Sequence, residues 1–247
     1  MKMIEVKDYQ QMSQKAAELI VEKVRKNPAI HLGLATGGTP IGTYANLIED
    51  HRKNGTSYQK VITFNLDEYI GLSGNNQNSY RYYMDKQLFN HIDIQKSNTH
   101  IPHGDALDTE KECLRYDQLI EGAGGVDLQI LGIGSNGHIG FNEPGTPFES
   151  TTHIVQLTPS TIMANARYFE KMEEVPTKAI TMGISTIMKS KEILLLVSGK
   201  AKKVALKRLL EGEITENFPA SVLKKHPYVT IIADEAAIAD LRFAVMD

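Results

Sequence analysis

Residues 126–147 read VDLQILGIGSNGHIGFNEPGTP, an apolar run followed directly by a loop rich in glycine and proline. The run at 126–131 is short and apolar, which is typical of a buried strand. The loop carries a histidine, an asparagine and a glutamate within a few positions. In open α/β sheets, ligands bind just beyond the carboxyl ends of the strands. The stretch therefore predicts a buried strand with functional side chains at its end.

Apolar runs and helical patterns alternate along the rest of the chain. Predicted strands cover 30–36, 60–66, 126–133, 191–197 and 228–233. Helical spacing of apolar residues predicts helices over 11–24, 41–53, 79–89, 108–121, 161–172 and 200–212. Buried strands separated by helices predict an α/β fold, a three-layer sandwich with a mostly parallel sheet and helices on both faces. No linker-like stretch divides the sequence, so we expect a single domain over 1–247.

Composition excludes several classes of protein. A chain of 247 residues with 41% hydrophobic content is long enough to form a globular core. Its net charge of -3 and pI near 6.3 give no basic footprint for nucleic acid or an anionic membrane. No stretch has signal-peptide character or approaches the roughly 20 apolar residues of a membrane span, so we expect a cytoplasmic protein. The single cysteine, Cys113, excludes an internal disulfide and a cysteine zinc cage, and we interpret it as a packing residue.

The loop GGTP, which follows the predicted strand 30–36, is a candidate anion site. Its glycines let the backbone approach a ligand, Thr39 can cap the next helix, and Pro40 suits the first helical turn. Free N–H groups at a helix start bind anions. An ordinary strand-to-helix turn explains the same residues, and the lysine of a nucleotide-binding P-loop is missing.

Two basic residues are candidate partners of that anion. Lys200 falls in or near the first turn of the predicted helix 200–212, where a cation opposes the helix dipole. A bound anion explains the lysine there, and so does simple exposure to solvent. Arg167 is the other candidate contact for a phosphate, or else part of the exposed face of an amphipathic helix.

Two adjacent acidic residues, Asp67 and Glu68, follow the predicted strand 60–66. Neighbouring strand residues point to opposite faces, so we expect at most one of the two carboxylates to face a ligand crevice. A partly desolvated carboxylate in that position can act as a proton-abstracting base. A helix-capping or turn role is the alternative.

The segment 132–137, GIGSNG, matches the dinucleotide-binding pattern G-x-G-x-x-G. That pattern must open a helix and be followed by an acidic residue about 20 positions later. Gly140, Pro144, Gly145 and Pro147 prevent a regular helix here, and no acidic residue stands at that distance. We therefore expect neither a nicotinamide nor a flavin cofactor.

The same loop places an imidazole, a carboxylate and a side-chain amide close together in sequence. His138 and Glu143 do not have metal-ligand spacing, and no second nearby histidine completes a metal site. A histidine in a glycine-rich loop at a strand end, with Asn136 and Glu143 nearby, favours acid/base chemistry over a purely structural role.

In combination, these motifs resemble the glucosamine-6-phosphate deaminase family, also called glucosamine-6-phosphate isomerase. The resemblance rests on LATGGTP, FNLDEY, GIGSNGHIGFNEPGTP, NARYF and the lysine of SGKAKK, in this order along almost the whole chain. It implies a modified Rossmann-like fold and an enzyme that converts glucosamine 6-phosphate and water into fructose 6-phosphate and ammonia, with neither metal nor organic cofactor.

The resemblance also implies roles for individual residues. His138 opens the sugar ring with Glu143 as its orienting partner, and Asp67 removes the proton from C2 of the open aldehyde. Asn136 completes the catalytic set at a position where some family members have aspartate. The implied phosphate-binding residues are Thr36, Gly37, Gly38, Thr39, Arg167 and Lys200.

The sequence departs from the family pattern in two respects. Asn136 can hydrogen-bond but cannot stabilise an imidazolium by charge, which predicts a shifted pH profile. His153 and Val155 stand where allosterically activated members have basic residues, so we expect a monomer or small homo-oligomer and no allosteric hexamer. The expected partner is a small sugar phosphate.

Two other functions remain open from the sequence. A 6-phosphogluconolactonase-like hydrolase shares the fold and the glycine-histidine loop, and a sugar-phosphate sensor would bind without turnover. The continuation FNEPGTP and the motif FNLDEY favour the deaminase. Prolines and threonines over 144–175 indicate a lid over the site.

Overall fold

The computed structural model describes residues 1–158, 162, 163, 166, 169 and 171–242. Its strands are β1 (Lys2–Val6), β2 (His31–Leu34), β3 (Ile62–Asn65), β4 (Asp67–Tyr69), β5 (Thr99–His100), β6 (Leu128–Gly132), β7 (His153–Gln156), β8 (Lys178–Thr181), β9 (Glu192–Val197) and β10 (Val229–Asp234). The α-helices of the described residues are α1 (Tyr9–Lys26), α2 (Ile41–Asn54), α3 (Tyr80–Gln87), α4 (Thr109–Gly122), α5 (Ile184–Met188), α6 (Lys203–Glu211) and α7 (Glu235–Arg242). Short 3-10 helices cover Phe89–His91, Lys96–Asn98, Met172–Glu174, Lys200–Lys202 and Pro219–Lys225.

The main sheet has seven strands in the order β1-β10-β9-β6-β2-β3-β5, and every neighbouring pair is parallel. Strand β9 illustrates why both faces are covered. Leu194 and Leu196 belong to the core cluster that includes residues of α1, α2 and α3, whereas Ile193 and Leu195 belong to the cluster that includes residues of α4, α6 and α7. Side chains of a strand alternate between faces, so an apolar run without polar breaks requires a layer of helices on each side. The predicted three-layer α/β sandwich is confirmed.

The order of the strands places a ligand crevice between β2 and β6. From β2 the chain proceeds outward through β3 to β5, whereas from β6 it proceeds in the opposite direction through β9 to β10. The loops that leave β2 and β6 therefore diverge to opposite faces of the sheet. Such a switch point opens a crevice at the carboxyl edge, where ligands of open α/β sheets bind.

A second, three-stranded antiparallel sheet, β4-β8-β7, was not predicted from the sequence. Leu66 links the two sheets, because its N–H donates to Leu34 O at 3.1 Å and its carbonyl accepts the N–H of Met182 at 2.6 Å. Asp67, which was expected just after the strand predicted over 60–66, therefore begins a strand of the small sheet. The strands of this sheet are too short, and too rich in polar residues, to give an apolar run.

Other differences concern elements that the sequence did not predict and the start of one that it did. Strands β1 and β5 and helices α5 and α7 were missed, and the helix predicted over 200–212 starts as the 3-10 turn Lys200–Lys202. Much of the helix predicted over 161–172, and part of the predicted lid over 144–175, lie outside the described residues, so the lid stays a prediction. In the part of the chain that the structure describes, no helix combines the length and the apolar character needed to cross a bilayer.

Candidate active site

A cavity of about 220 Å³ lies at the switch point between β2 and β6. Its walls include the loop 36–39, Asp67, His138 and Lys202. The crevice therefore gathers residues from three separate strand ends and one 3-10 turn. A larger groove of about 650 Å³ between α1 and α2 contains none of the predicted site residues.

Asp67 lines this cavity, although the residue is only 6% exposed. Burial, and secondly the neighbouring Glu68, raise the pKa of Asp67 to about 8. A buried carboxylate whose pKa lies near neutral pH can remove a proton from a substrate and also return it.

Glu68 points away from the cavity and holds the start of α3. Its carboxylate accepts the backbone N–H groups of Tyr69 at 2.8 Å, Tyr80 at 2.9 Å and Arg81 at 2.9 Å. Burial raises the pKa of Glu68 to about 7, although these N–H donors oppose the rise. Of the two adjacent carboxylates, only Asp67 lines the cavity, as the alternation of strand side chains predicts.

His138, Glu143 and Asn136 form one group on the loop after β6. The Nδ1 atom of His138 lies 3.5 Å from Glu143 Oε1. The Asn136 amide donates to Glu143 Oε2 at 2.6 Å, and its carbonyl accepts the backbone N–H of His138 at 3.2 Å. The hydrogen bond and charge of His138 lower the pKa of Glu143, and the amide of Asn136 lowers it further. The burial of Glu143 opposes this shift. Asn136 thus supports the imidazole through Glu143 and the backbone.

Two glycines allow this loop to fold against the catalytic candidates. A Cβ atom on Gly134 would lie 2.3 Å from Nδ1 of His138, so the imidazole occupies the space of that missing side chain. Gly140 has a φ of +57°, and a Cβ there would lie 3.6 Å from Asp67 Oδ2. The loop that carries His138 therefore runs directly past the carboxylate of Asp67.

Two tyrosine hydroxyls fasten the candidate anion loop. Tyr83 donates to Gly37 O at 2.6 Å, and Tyr9 donates to Gly38 O at 3.1 Å while accepting the N–H of Gly42 at 2.9 Å. Helix α2 begins at Ile41 with Pro40 at the capping position and no capping hydrogen bond from its side chain. Thr39 is therefore not the helix cap that the sequence indicated.

Lys202, and not Lys200, lies at the cavity. Lys200 is exposed to solvent. The segment Lys200–Lys202 is a 3-10 turn, whose three residues per turn orient successive side chains differently from the α-helix that the sequence predicted. Burial lowers the pKa of Lys202. Arg167 lies outside the described residues.

Aromatic side chains that the sequence did not single out form one wall. Tyr80 and Phe141 line the cavity, and their rings stack with centroids 6.2 Å apart. Tyr80 also donates to the hydroxyl of Tyr69 at 3.0 Å. Since apolar rings exclude water, this wall strengthens electrostatic interactions inside the cavity.

No group of three or more His, Cys, Asp or Glu side chains is placed to hold a metal ion within the described ranges. The expectation of a cofactor-free site stays a prediction.

Comparison with known proteins identifies the family. Residues 7–232 match the family model for glucosamine-6-phosphate isomerases/6-phosphogluconolactonase. The chain is 60% identical over 237 residues to glucosamine-6-phosphate deaminase of Shouchella clausii, which covers 96% of each chain. A solved structure of a monomeric glucosamine-6-phosphate deaminase superposes with a TM-score of 0.94 at 52% identity, covering 97% of this chain and 99% of that one.

A more distant solved structure delimits what the fold implies. The 6-phosphogluconolactonase from Trypanosoma cruzi superposes with a TM-score of 0.78 at 21% identity, covering 97% of this chain and 96% of that one. At this identity, the likeness shows a common fold and no more. The matches at high identity run along nearly the full chain, so this chain belongs to the glucosamine-6-phosphate isomerase/6-phosphogluconolactonase family, on its deaminase branch.

Proposed function

We propose that this protein converts glucosamine 6-phosphate and water into fructose 6-phosphate and ammonia. The observation that carries the proposal is that Asp67 and His138, from two different strand ends, line one cavity together with Lys202 and the loop 36–39. A carboxylate base, an imidazole acid/base and an anion site together can carry out the isomerisation of a phosphorylated aldose.

Binding begins with the phosphate. The ammonium of Lys202 and the backbone of the loop 36–39 hold it at one end of the cavity. Remote binding of a dianion positions the reacting carbons without taking part in the chemistry, so its energy is available to orient C1 and C2 against Asp67.

Acid/base steps follow along the sugar. His138, oriented by Glu143, moves the proton that opens the pyranose ring. Asp67 then removes the proton from C2 of the open aldehyde, an enolamine forms, and C1 receives a proton. Water adds to the resulting imine, and the C–N bond breaks to release ammonia and the ketose. The reaction is a hydrolytic deamination within amino-sugar catabolism.

Ammonia release distinguishes this function from its two alternatives. We expect the purified full chain to release ammonia from glucosamine 6-phosphate without added metal. A lactonase would instead acidify a solution of a phosphorylated lactone, and a sensor would only gain thermal stability on binding the sugar. Absence of ammonia from folded protein would contradict the proposal.

Asn136→Asp is expected to move the pH–activity profile to higher pH. The substitution replaces the amide donor at 2.6 Å from Glu143 with a second carboxylate. Like charges at that distance raise the pKa values of the two carboxylates, so the midpoint of the acidic limb of the profile should move to higher pH by about one unit or more. Asn136→Ala removes the donor without adding charge and should shift the limb less. Superimposable profiles for the wild type and the aspartate variant would refute the role given to Asn136.

The protein acts, in this proposal, in the cytoplasm as a monomer or small homo-oligomer. The similarity to a monomeric deaminase supports the small assembly. His153 and Val155 supply no pair of cations for an anionic effector. Sedimentation of the purified chain with and without an acetylated amino-sugar phosphate measures its assembly state and whether such an effector changes it.

A further inference from the structure

Strand β8 connects the two halves of the proposed catalytic site. Asp67 is paired directly with Thr181 across the β4-β8 ladder, and Leu66 accepts the N–H of Met182 at 2.6 Å. The loop after β6 is attached to the same short stretch, because the side-chain amide of Asn142 donates to Met182 O at 2.9 Å. The base and the imidazole loop therefore share one support.

Thr181 supplies the contact nearest to the chemistry. The residue is fully buried, and its Oγ1 accepts the backbone N–H of Phe141 at 3.1 Å. A Cβ built on Gly140 would lie 3.1 Å from Thr181 Oγ1 and 3.6 Å from Asp67 Oδ2, so the hydroxyl and the carboxylate flank the same turn. Directly opposed residues of an antiparallel pair project to the same face, which is why both reach Gly140.

We propose that Thr181 is a positioning residue for the deamination: its hydroxyl holds the Gly140–Phe141 turn against Asp67 and so sets the separation between the base and His138. This role rests on the proposed function. Thr181 itself touches no reacting atom. Its effect arises because a displacement of about 1 Å between catalytic groups can cost about 100-fold in rate.

Isosteric substitution tests the proposal in the full chain. We expect Thr181→Val to lower kcat for ammonia release by about tenfold or more, while KM stays within about threefold of the wild-type value. Thr181→Ser retains the acceptor and should restore kcat to within about threefold. Thr63→Val is the matched control, because Thr63 is also a buried strand threonine, and its hydroxyl makes no hydrogen bond among the described residues.

Folding is checked by circular dichroism and ligand binding by the affinity for fructose 6-phosphate, which should match the wild type in all variants. If Thr181→Val does not fold, Thr181→Cys replaces it, since a thiol is a weaker acceptor and should give a kcat between those of serine and valine. Equal kcat for Thr181→Val and Thr63→Val, or a serine variant as slow as the valine variant, would overturn the role of Thr181. A wild-type chain that releases no ammonia would instead overturn the proposed function, and this role with it.

Discussion

Asp67→Asn should lower kcat for ammonia release by about 1000-fold or more, within the range that general-base catalysis contributes. An amide has nearly the same shape as the carboxylate but cannot accept the C2 proton. Because the phosphate is held by other groups, the affinity for fructose 6-phosphate should change little. The measurement pairs initial rates of ammonia release with calorimetric titration of fructose 6-phosphate.

The exposed residue Asp105 provides the matched control for this substitution. Asp105→Asn makes the same chemical change away from the described cavity and should leave both quantities unchanged. An Asp67→Asn protein that keeps wild-type turnover would remove Asp67 from the mechanism, and with it the main support for isomerisation at this site.

The stability of Asp67→Asn relative to the wild type should increase as the pH rises. Burial, followed by Glu68, raises the pKa of Asp67 to about 8 in the folded protein, whereas the unfolded chain titrates near its ordinary value of 3.8. Between these values the unfolded state has lost the proton that the folded state keeps, so ionisation favours unfolding increasingly with pH. We expect the free energy of unfolding of Asp67→Asn to exceed that of the wild type by about 5 kcal/mol at pH 8, and by less than about 1 kcal/mol at pH 4. Denaturant titrations at the two pH values measure this difference.

Lys202→Ala should raise KM for glucosamine 6-phosphate by about 10–100-fold, because hydrogen bonds to charged groups are worth about 1.5–3 kcal/mol each. The dissociation constant for fructose 6-phosphate should rise by a similar factor, with a smaller effect on kcat. Burial lowers the pKa of Lys202, and a bound phosphate opposes that shift by favouring the ammonium.

Lys200→Ala is the matched control for Lys202→Ala, since the two lysines belong to the same 3-10 turn and only Lys202 lines the cavity. We expect its KM to stay within about twofold of the wild-type value. A larger increase in KM for Lys200→Ala than for Lys202→Ala would restore the assignment made from the sequence.

The base and the anion loop are also connected through α3. Glu68 fixes the first N–H groups of that helix, and the helix carries Tyr80 to the cavity and Tyr83 to the carbonyl of Gly37. The adjacent acidic residues of the motif FNLDEY therefore divide their tasks: Asp67 faces the ligand, and Glu68 supports the helix beside it.

Much of the fold follows from local patterns in the sequence. Apolar runs such as 191–197 predicted strands buried on both faces, because successive apolar side chains point to both faces of a strand and each must be removed from water. The carboxyl ends of parallel strands share one edge, so Asp67, His138 and the loop 36–39 could be expected near each other from the order of the elements. The motifs that carry the family resemblance contain these same residues.

Tertiary structure alone decided which polar atoms meet. No local pattern indicates that Thr181 pairs with Asp67, that Tyr83 fastens Gly37, or that Lys202 replaces Lys200 at the cavity. These contacts join residues that are distant in sequence or depend on the turn that a short 3-10 segment makes. Hydrophobic periodicity determines which face of an element is buried, whereas the separation of two polar side chains depends on how complete elements pack against each other.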